Sequence, residues 1–244
     1  MWPGCRAMPD PGILEADTSD GDTIMDFEAI WVSVRLAFLT TLVLFVLGLP
    51  FAYWLAFTKS RFKFLVEALV SLPMILPPTV LGFYVLIALG PHSPIGRAYE
   101  GVTGKFLPFS FQGLLLASIL YSTPFALRPF IAGFAAVDRR LIEASWSLGV
   151  SRVSTFFEVV CPVAWAGILT GLVLAFAHTL GEFGVVLMVG GNIPGATRTV
   201  SIAIYDEVQA LNYAQAGVTS LVLLGSSFVA LAATYLLQRK GGVL

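Results

Sequence analysis

Charge is scarce in this chain. Asp, Glu, Lys and Arg make up 12% of its 244 residues, against about 25% in an ordinary soluble domain, while 57% are hydrophobic and the mean hydropathy is +0.85. A composition this poor in charge excludes a water-soluble globular protein and places the chain in a bilayer. Cysteine is nearly absent too: Cys5 and Cys161 fall on opposite sides of the membrane in the topology below, so neither a disulfide nor a metal framework follows from them. No His-Glu-x-x-His occurs, and His178 with Glu182 is too small a set for a catalytic zinc. A phosphate-binding Gly-x-x-x-x-Gly-Lys-Ser/Thr is missing as well. Gly104-Lys105 continues with Phe106 and lacks the earlier glycine, so the chain does not bind ATP in that way.

What is present is long apolar sequence. Five runs reach the about 20 residues that a bilayer span requires, at roughly 31 to 57, 64 to 89, 109 to 133, 163 to 190 and 214 to 237. The expected fold is all-α, a polytopic membrane protein with five transmembrane helices, residues 26–244 forming one transmembrane domain without a separate soluble domain. Lys59, Arg61 and Lys63 follow the first run, Arg139, Arg140 and Arg152 the third, and Arg239 and Lys240 the last, which sets these loops in the cytoplasm with the N-terminus outside and the C-terminus inside. Residues 1–25 are acidic and rich in turn formers and have no apolar core, which predicts a disordered tail. Met25-Asp26-Phe27-Glu28 leads straight into the first run, so natural translation is expected to start at Met25 and the tail to be non-native.

A polar stretch separates the third and fourth runs. It reads Asp138-Arg-Arg-Leu-Ile-Glu143-Ala144-Ser145-Trp-Ser-Leu148-Gly149 and, further on, Pro162. Asp138 predicts an N-cap, Leu141, Ile142, Ser145, Trp146 and Leu148 follow near-helical spacing, and Gly149 predicts a stop in the left-handed conformation. Ser151 predicts the cap of a second short helix running to Val159 and Val160. The expected result is a helix, a tight turn and a helix, with apolar side chains presented at the membrane surface. Exposed apolar faces of this kind dock onto something; the alternative is an interfacial hairpin that only joins two spans.

These residues resemble the motif of bacterial ABC importer permeases, in which Glu-Ala-Ala is followed after three residues by Gly and after nine more by Ile-x-Leu-Pro. Here it stands as Glu143-Ala144-Ser145, Gly149, Val159 and Cys161-Pro162, with the spacing intact and three small or apolar replacements. The resemblance implies that Glu143, Ala144, Ser145, Leu148, Gly149 and Pro162 form a coupling helix-turn-helix seated in a cleft of an ATPase subunit. It further implies a homodimer with two such ATPase subunits, ATP and Mg held by those partners and no cofactor in this chain, a soluble oxyanion-binding protein outside, and an inner membrane whose lipid surrounds the spans. Nucleic acid has no place in that assembly.

Within the second run, Pro73 and the pair Pro77-Pro78, followed by Thr79 and Gly82, each remove backbone donors at membrane depth, a break tolerated only where it is buried in protein or lines a cavity. A bend beside the pathway is expected at Pro77-Pro78, while Pro73 fits a packing kink equally well. His178 and Glu182 are four residues apart and are expected to share a helix face, with Phe183 beside them and Glu182 roughly 30 Å along the helix from Pro162. Glu182 would repel an anion and reads as a structural or gate residue, His178 as a satisfied buried histidine. The loop Gly190-Gly-Asn192-Ile-Pro194-Gly195-Ala-Thr197-Arg198-Thr199 offers backbone amides and one Arg that could suit a tetrahedral oxyanion, and fits an ordinary turn just as well. Gly-Glu-Phe-Gly, Asn-Ile-Pro-Gly-x-Thr-Arg-Thr and Leu76-Pro77-Pro78-Thr79-Val80-x-Gly82 resemble the molybdate and tungstate permease family over residues 26 to about 240. That resemblance implies an oxyanion importer; sulfate permeases share much of the pattern. Arg128 is expected to snorkel to the inner interface or to line the inner mouth, and Trp31, Tyr53, Trp54 and Trp165 to act as interfacial anchors. A self-contained secondary transporter would require two related repeats, and an intramembrane enzyme a third catalytic group; neither is found in the sequence.

Overall fold

A computed structural model describes residues 25–240, and the expectations on the acidic tail and on Cys5 concern residues outside that range. The described residues form ten helices: α1 (Phe27–Phe57), α2 (Lys63–Ile75), α3 (Pro78–Leu89), α4 (Pro94–Thr103), α5 (Phe111–Ala135), α6 (Arg139–Ser147), α7 (Arg152–Gly181), α8 (Gly184–Gly190), α9 (Val200–Gln209) and α10 (Tyr213–Lys240). Several starts carry a side-chain cap. Asp26 Oδ1 accepts from Ala29 N at 2.9 Å, Ser93 Oγ from Gly96 N at 2.8 Å and Ser110 Oγ from Gly113 N at 3.2 Å, each satisfying a donor that the first turn leaves orphaned.

Four helices, α1, α5, α7 and α10, are each long and apolar enough to cross a membrane. The second expected span differs. It is two helices bent by 112°, and at about 20 Å and about 18 Å neither half spans the about 30 Å hydrocarbon core alone. Consecutive prolines cause the break: Leu76 (ψ 140°) and Pro77 (ψ 135°) are extended, as residues preceding proline prefer, and Pro78 restarts the helix where its missing N–H costs nothing. The fourth expected span differs as well. Its helix begins at Arg152 and ends at Gly181, and the remaining residues form the separate α8. No second short helix stands between the turn at Gly149 and the span; α7 runs through.

Two π-helical turns accommodate prolines inside α1 and α7. Leu44–Gly48 precedes Pro50 in α1, and Phe156–Val160 precedes Pro162 in α7. A proline ring collides with the carbonyl four residues back, and widening the turn before it removes that collision without ending the helix.

At the centre, α5 packs along α7. A Cβ on Gly167 would come within 2.7 Å of Gly133 Cα, and one on Gly171 within 2.5 Å of the Phe130 ring, so the two backbones meet closely. In lipid such approach supplies the van der Waals contact that holds helices together, since hydrocarbon offers no hydrophobic drive between them. Leu127, Phe130, Phe134, Val160 and Ile168 are buried here with Leu44 and Ala52 of α1. A second cluster joins Leu81, Val85 and Leu89 of α3 to Ala117 of α5 and to Val185 and Val189 of α8. It brings the two broken segments together.

Candidate functional site

The polar stretch folds into a tight corner. Asp138 Oδ1 accepts from Arg140 N at 2.9 Å and starts α6; Gly149 ends the turn at φ +81°, a left-handed conformation that a Cβ would strain. Ser151 Oγ accepts from Ser154 N at 3.2 Å and starts α7. One face of α6 is tied inward: Ile142 is buried in the core, and Ser145 Oγ and Thr155 Oγ1, both buried, share a hydrogen bond at 2.9 Å. The other face is open. Glu143 and Ala144 are exposed, and Leu141, Trp146, Val153 and above all Leu148, 84% exposed, present apolar surface around them. Arg152 lies over the Trp146 ring at 5.3 Å, and Arg139 donates to the Phe57 carbonyl at 3.3 Å, pinning α6 to the end of α1. Pro162 stands apart from this surface, about 15 Å along α7 from Arg152, where its local effect is the π-helical turn preceding it. Sequence reasoning missed Thr155; the Ser in place of Ala at 145, ten residues before a Thr, was its only trace.

The two helix breaks meet. A Cβ on Gly184 would come within 2.6 Å of Pro78 Cβ, and one on Gly82 within 2.8 Å of Met188 Cβ, so the Leu-Pro-Pro-Thr-x-x-Gly and Gly-Glu-Phe-Gly segments pack directly on each other. Pro77, Pro78 and Thr79 are nonetheless exposed along one edge. His178 and Glu182 do not share a helix face. Glu182 has left α7 (ψ 133°), is buried, and accepts from Val185 N at 2.7 Å, capping α8. His178 stays within α7, stacked on Phe125 at 3.8 Å, with its Nδ1 3.1 Å from Ser122 Oγ, which also lies 2.8 Å from Thr179 Oγ1. Phe183 turns the other way, its ring 5.0 Å from that of Tyr205 on α9.

The loop after α8 is closed on itself, in the manner of the ordinary turn that its residues also fit. The N–H groups of Ala196, Thr197 and Arg198 all point to the Ile193 carbonyl at 2.9 to 3.2 Å. Gly195 takes φ +69° at the tip, next to Pro194, and Thr197, fully buried, donates to the Gly190 carbonyl at 2.7 Å while accepting from Ile193 N. Arg198 lies between Asp26 (3.5 Å) and Asp206 (3.4 Å), and Asn192 donates to that same Asp206. Its charge is already balanced. Of the two readings for Arg128, the contacts fit lining better than snorkelling: its Nε and Nη2 donate to Ser71 Oγ on α2 at 3.1 and 2.9 Å, and it lines a groove there. The Tyr53 ring packs edge-on against Phe134 and Phe156.

The two broken segments thus pack on one another, and a short capped helix is exposed at the corner before α7. The chain belongs to the binding-protein-dependent transport system inner membrane components, whose family model matches residues 48–241. It is 48% identical over 219 residues to the molybdenum transport system permease protein ModB of Azotobacter vinelandii, covering 89% of this chain and 97% of that protein. A probable sulfate transport system permease protein, cysT of Chlorella vulgaris, is 32% identical over 200 residues, covering 80% of this chain and 73% of the relative. Among solved structures, a bacterial alginate ABC transporter matches 88% of this chain and 78% of its own with a TM-score of 0.70 at 17% identity, a likeness of fold.

Proposed function

We propose that this chain is the membrane subunit of an ATP-driven importer of molybdate, with tungstate carried by the same route, and that it acts as a homodimer with two ATPase subunits. The observation that carries this reading is 48% identity to a molybdenum permease across 97% of that protein's length. A soluble binding protein delivers the oxyanion outside, the partner ATPases hold ATP and Mg, and the basic loops set the docking turn and the C-terminus in the cytoplasm with the N-terminus outside.

The geometry supports a route for force. Exposed Glu143, Ala144 and Leu148 meet the ATPase, while Ile142 and the Ser145–Thr155 bond fix α6 to the core and to α7. Movement of the ATPase then passes into α7, a single helix about 45 Å long, whose far end is the break at Glu182 packed near Pro78. Pro77, Pro78, Thr79 and Gly82 with Glu182 and Phe183 form a hinge that opens the chamber to one side or the other; His178 braces α7 against α5. Loaded binding protein and ATP drive this exchange only because the two states bind them with different affinity.

Uptake by vesicles holding the permease, its ATPase and the binding protein, with molybdate, tungstate and sulfate in competition, tests the cargo. Molybdate and tungstate are expected to exclude each other and sulfate to compete poorly; sulfate winning at equal concentration assigns the chain to the sulfate branch represented by the Chlorella relative. Copurification tests the docking surface: changing Glu143 and Gly149 together is expected to lose the ATPase, and a variant that keeps both the partner and uptake removes the argument.

A further inference from the structure

Arg128 is an arginine inside a membrane-spanning helix, seven residues from the end of α5 and so about 10 Å from it. A guanidinium at that depth is costly, and such residues face a bundle interior or a water-filled cavity and mark ion routes. Here it opens into a groove of about 670 Å3 between α2 and α5, lined by Glu67, Ser71, Leu72, Ile75, Arg128 and Ile131 among others. Its orientation is built. Ser71 Oγ donates to the Glu67 carbonyl at 2.7 Å and accepts both Nε and Nη2 of Arg128, so the fork is held from one side. Of the five guanidinium N–H groups, the three not given to Ser71 are left to receive an acceptor. No carboxylate lies within ion-pair distance of it among the described residues: Glu67, which shares the groove, is paired with Lys63 at 3.7 Å. Arg35, the arginine in α1, has an aromatic partner in the Phe111 ring at 4.5 Å, and Arg198 lies between two carboxylates. The groove reaches Ile75, the last residue of α2 before the break that Pro77 and Pro78 make in the chain.

We infer that Arg128, steered by Ser71, is an oxyanion-binding post on the translocation route, taking a doubly charged tetrahedral anion in the groove between α2 and α5. This rests on the reading of the chain as an oxyanion permease. A planar fork with donors on one edge matches two oxygens of a tetrahedral anion, whereas a lysine at the same place would supply charge without the fork. Ser71 is a positioning residue, acting through Arg128.

The test uses the full complex of permease, ATPase and binding protein in vesicles, with molybdate as the probe, and reads uptake, ATP hydrolysis stimulated by loaded binding protein, and copurification of the ATPase. Arg128→Met is expected to lower uptake about tenfold or more while copurification and stimulated hydrolysis persist, Arg128→Lys to recover part of the uptake with weakened discrimination against sulfate, and Ser71→Ala to raise the molybdate concentration for half-maximal uptake. Unchanged uptake in Arg128→Met overturns the inference. So does loss of the ATPase partner in both Arg128 variants, which makes the residue structural. A groove that holds lipid phosphate is the third contrary outcome: wild-type uptake would then require anionic lipid, and the Arg128→Met protein would not respond to it. A wild-type complex that takes up none of molybdate, tungstate or sulfate rejects the permease reading itself, so the two failures are told apart.

Discussion

The docking turn at 138–155 and the loop at 190–199 are built from the same local parts and come out opposite. Each joins two helices, and each reverses direction at a glycine with positive φ, Gly149 at +81° and Gly195 at +69°. The docking turn hides its polar pair, Ser145 and Thr155, and leaves Leu148 84% exposed. The loop hides Thr197 and folds three amides onto one carbonyl, and its arginine is held by two aspartates. One surface leaves apolar side chains open, while the other is closed on itself. Turn chemistry alone therefore does not identify a binding site; what distinguishes the two is where the satisfied groups lie.

That contrast is sharpest when the two regions are disturbed separately. The largest effect is expected from Leu148→Asp, which places a charge at the centre of the exposed apolar surface: ATPase affinity should fall by about 2 kcal/mol or more, roughly 30-fold, with thermal unfolding of the permease in detergent unchanged. Retained copurification would break the comparison. Thr197→Val should do the reverse, lowering stability by about 2 kcal/mol because the Gly190 carbonyl and Ile193 N–H lose their shared partner, while ATPase binding is kept; a normal melting curve would show the loop is not held by that residue. Ser145→Ala should cost about 1 kcal/mol, and the double change with Thr155→Val less than the sum of the two single changes, because Thr155→Val alone strands the Ser145 hydroxyl, whereas Thr155 keeps its bond to the Ser151 carbonyl when Ser145 is changed. A cycle that sums without coupling would mean the bond carries no weight. The smallest effect is expected from Arg198→Met, under about 1 kcal/mol and diminishing with added salt, since both ion pairs are partly solvated. A larger, salt-independent loss would mark Arg198 as more than a clasp.

Much of this architecture was legible because local rules act locally. Asp138 and Ser151 cap the helices their spacing predicts, Gly149 ends a turn, and Pro77-Pro78 breaks a span. The continuity of α7 was hidden because Pro162 reads as a boundary and the π-helical turn that accommodates it leaves no mark in hydrophobic spacing. Glu182 misled through its distance of four from His178; the flanking Gly181 and Gly184 and an amide three residues on at Val185 are the pattern of a cap, and weighing them would have placed it correctly. Arg198 offered half a clue, since Asp206 lies eight residues on but Asp26 lies at the other end of the chain. Arg128 and Ser71, likewise, meet only through the packing of α2 on α5.

The wide turn at Phe156–Val160 has a geometric consequence for how the two ends of α7 are aligned. One residue more than an α-helical turn requires is wound in there, and the wide turn absorbs it, so the helix on either side keeps the alignment it would have without that residue. The surplus acts like slack taken up in one coil, giving the ring of Pro162 room without twisting the α6 corner against the far end. Deleting a single residue there should close the coil, leave the corner pointing as before and press Pro162 against the carbonyl four residues back.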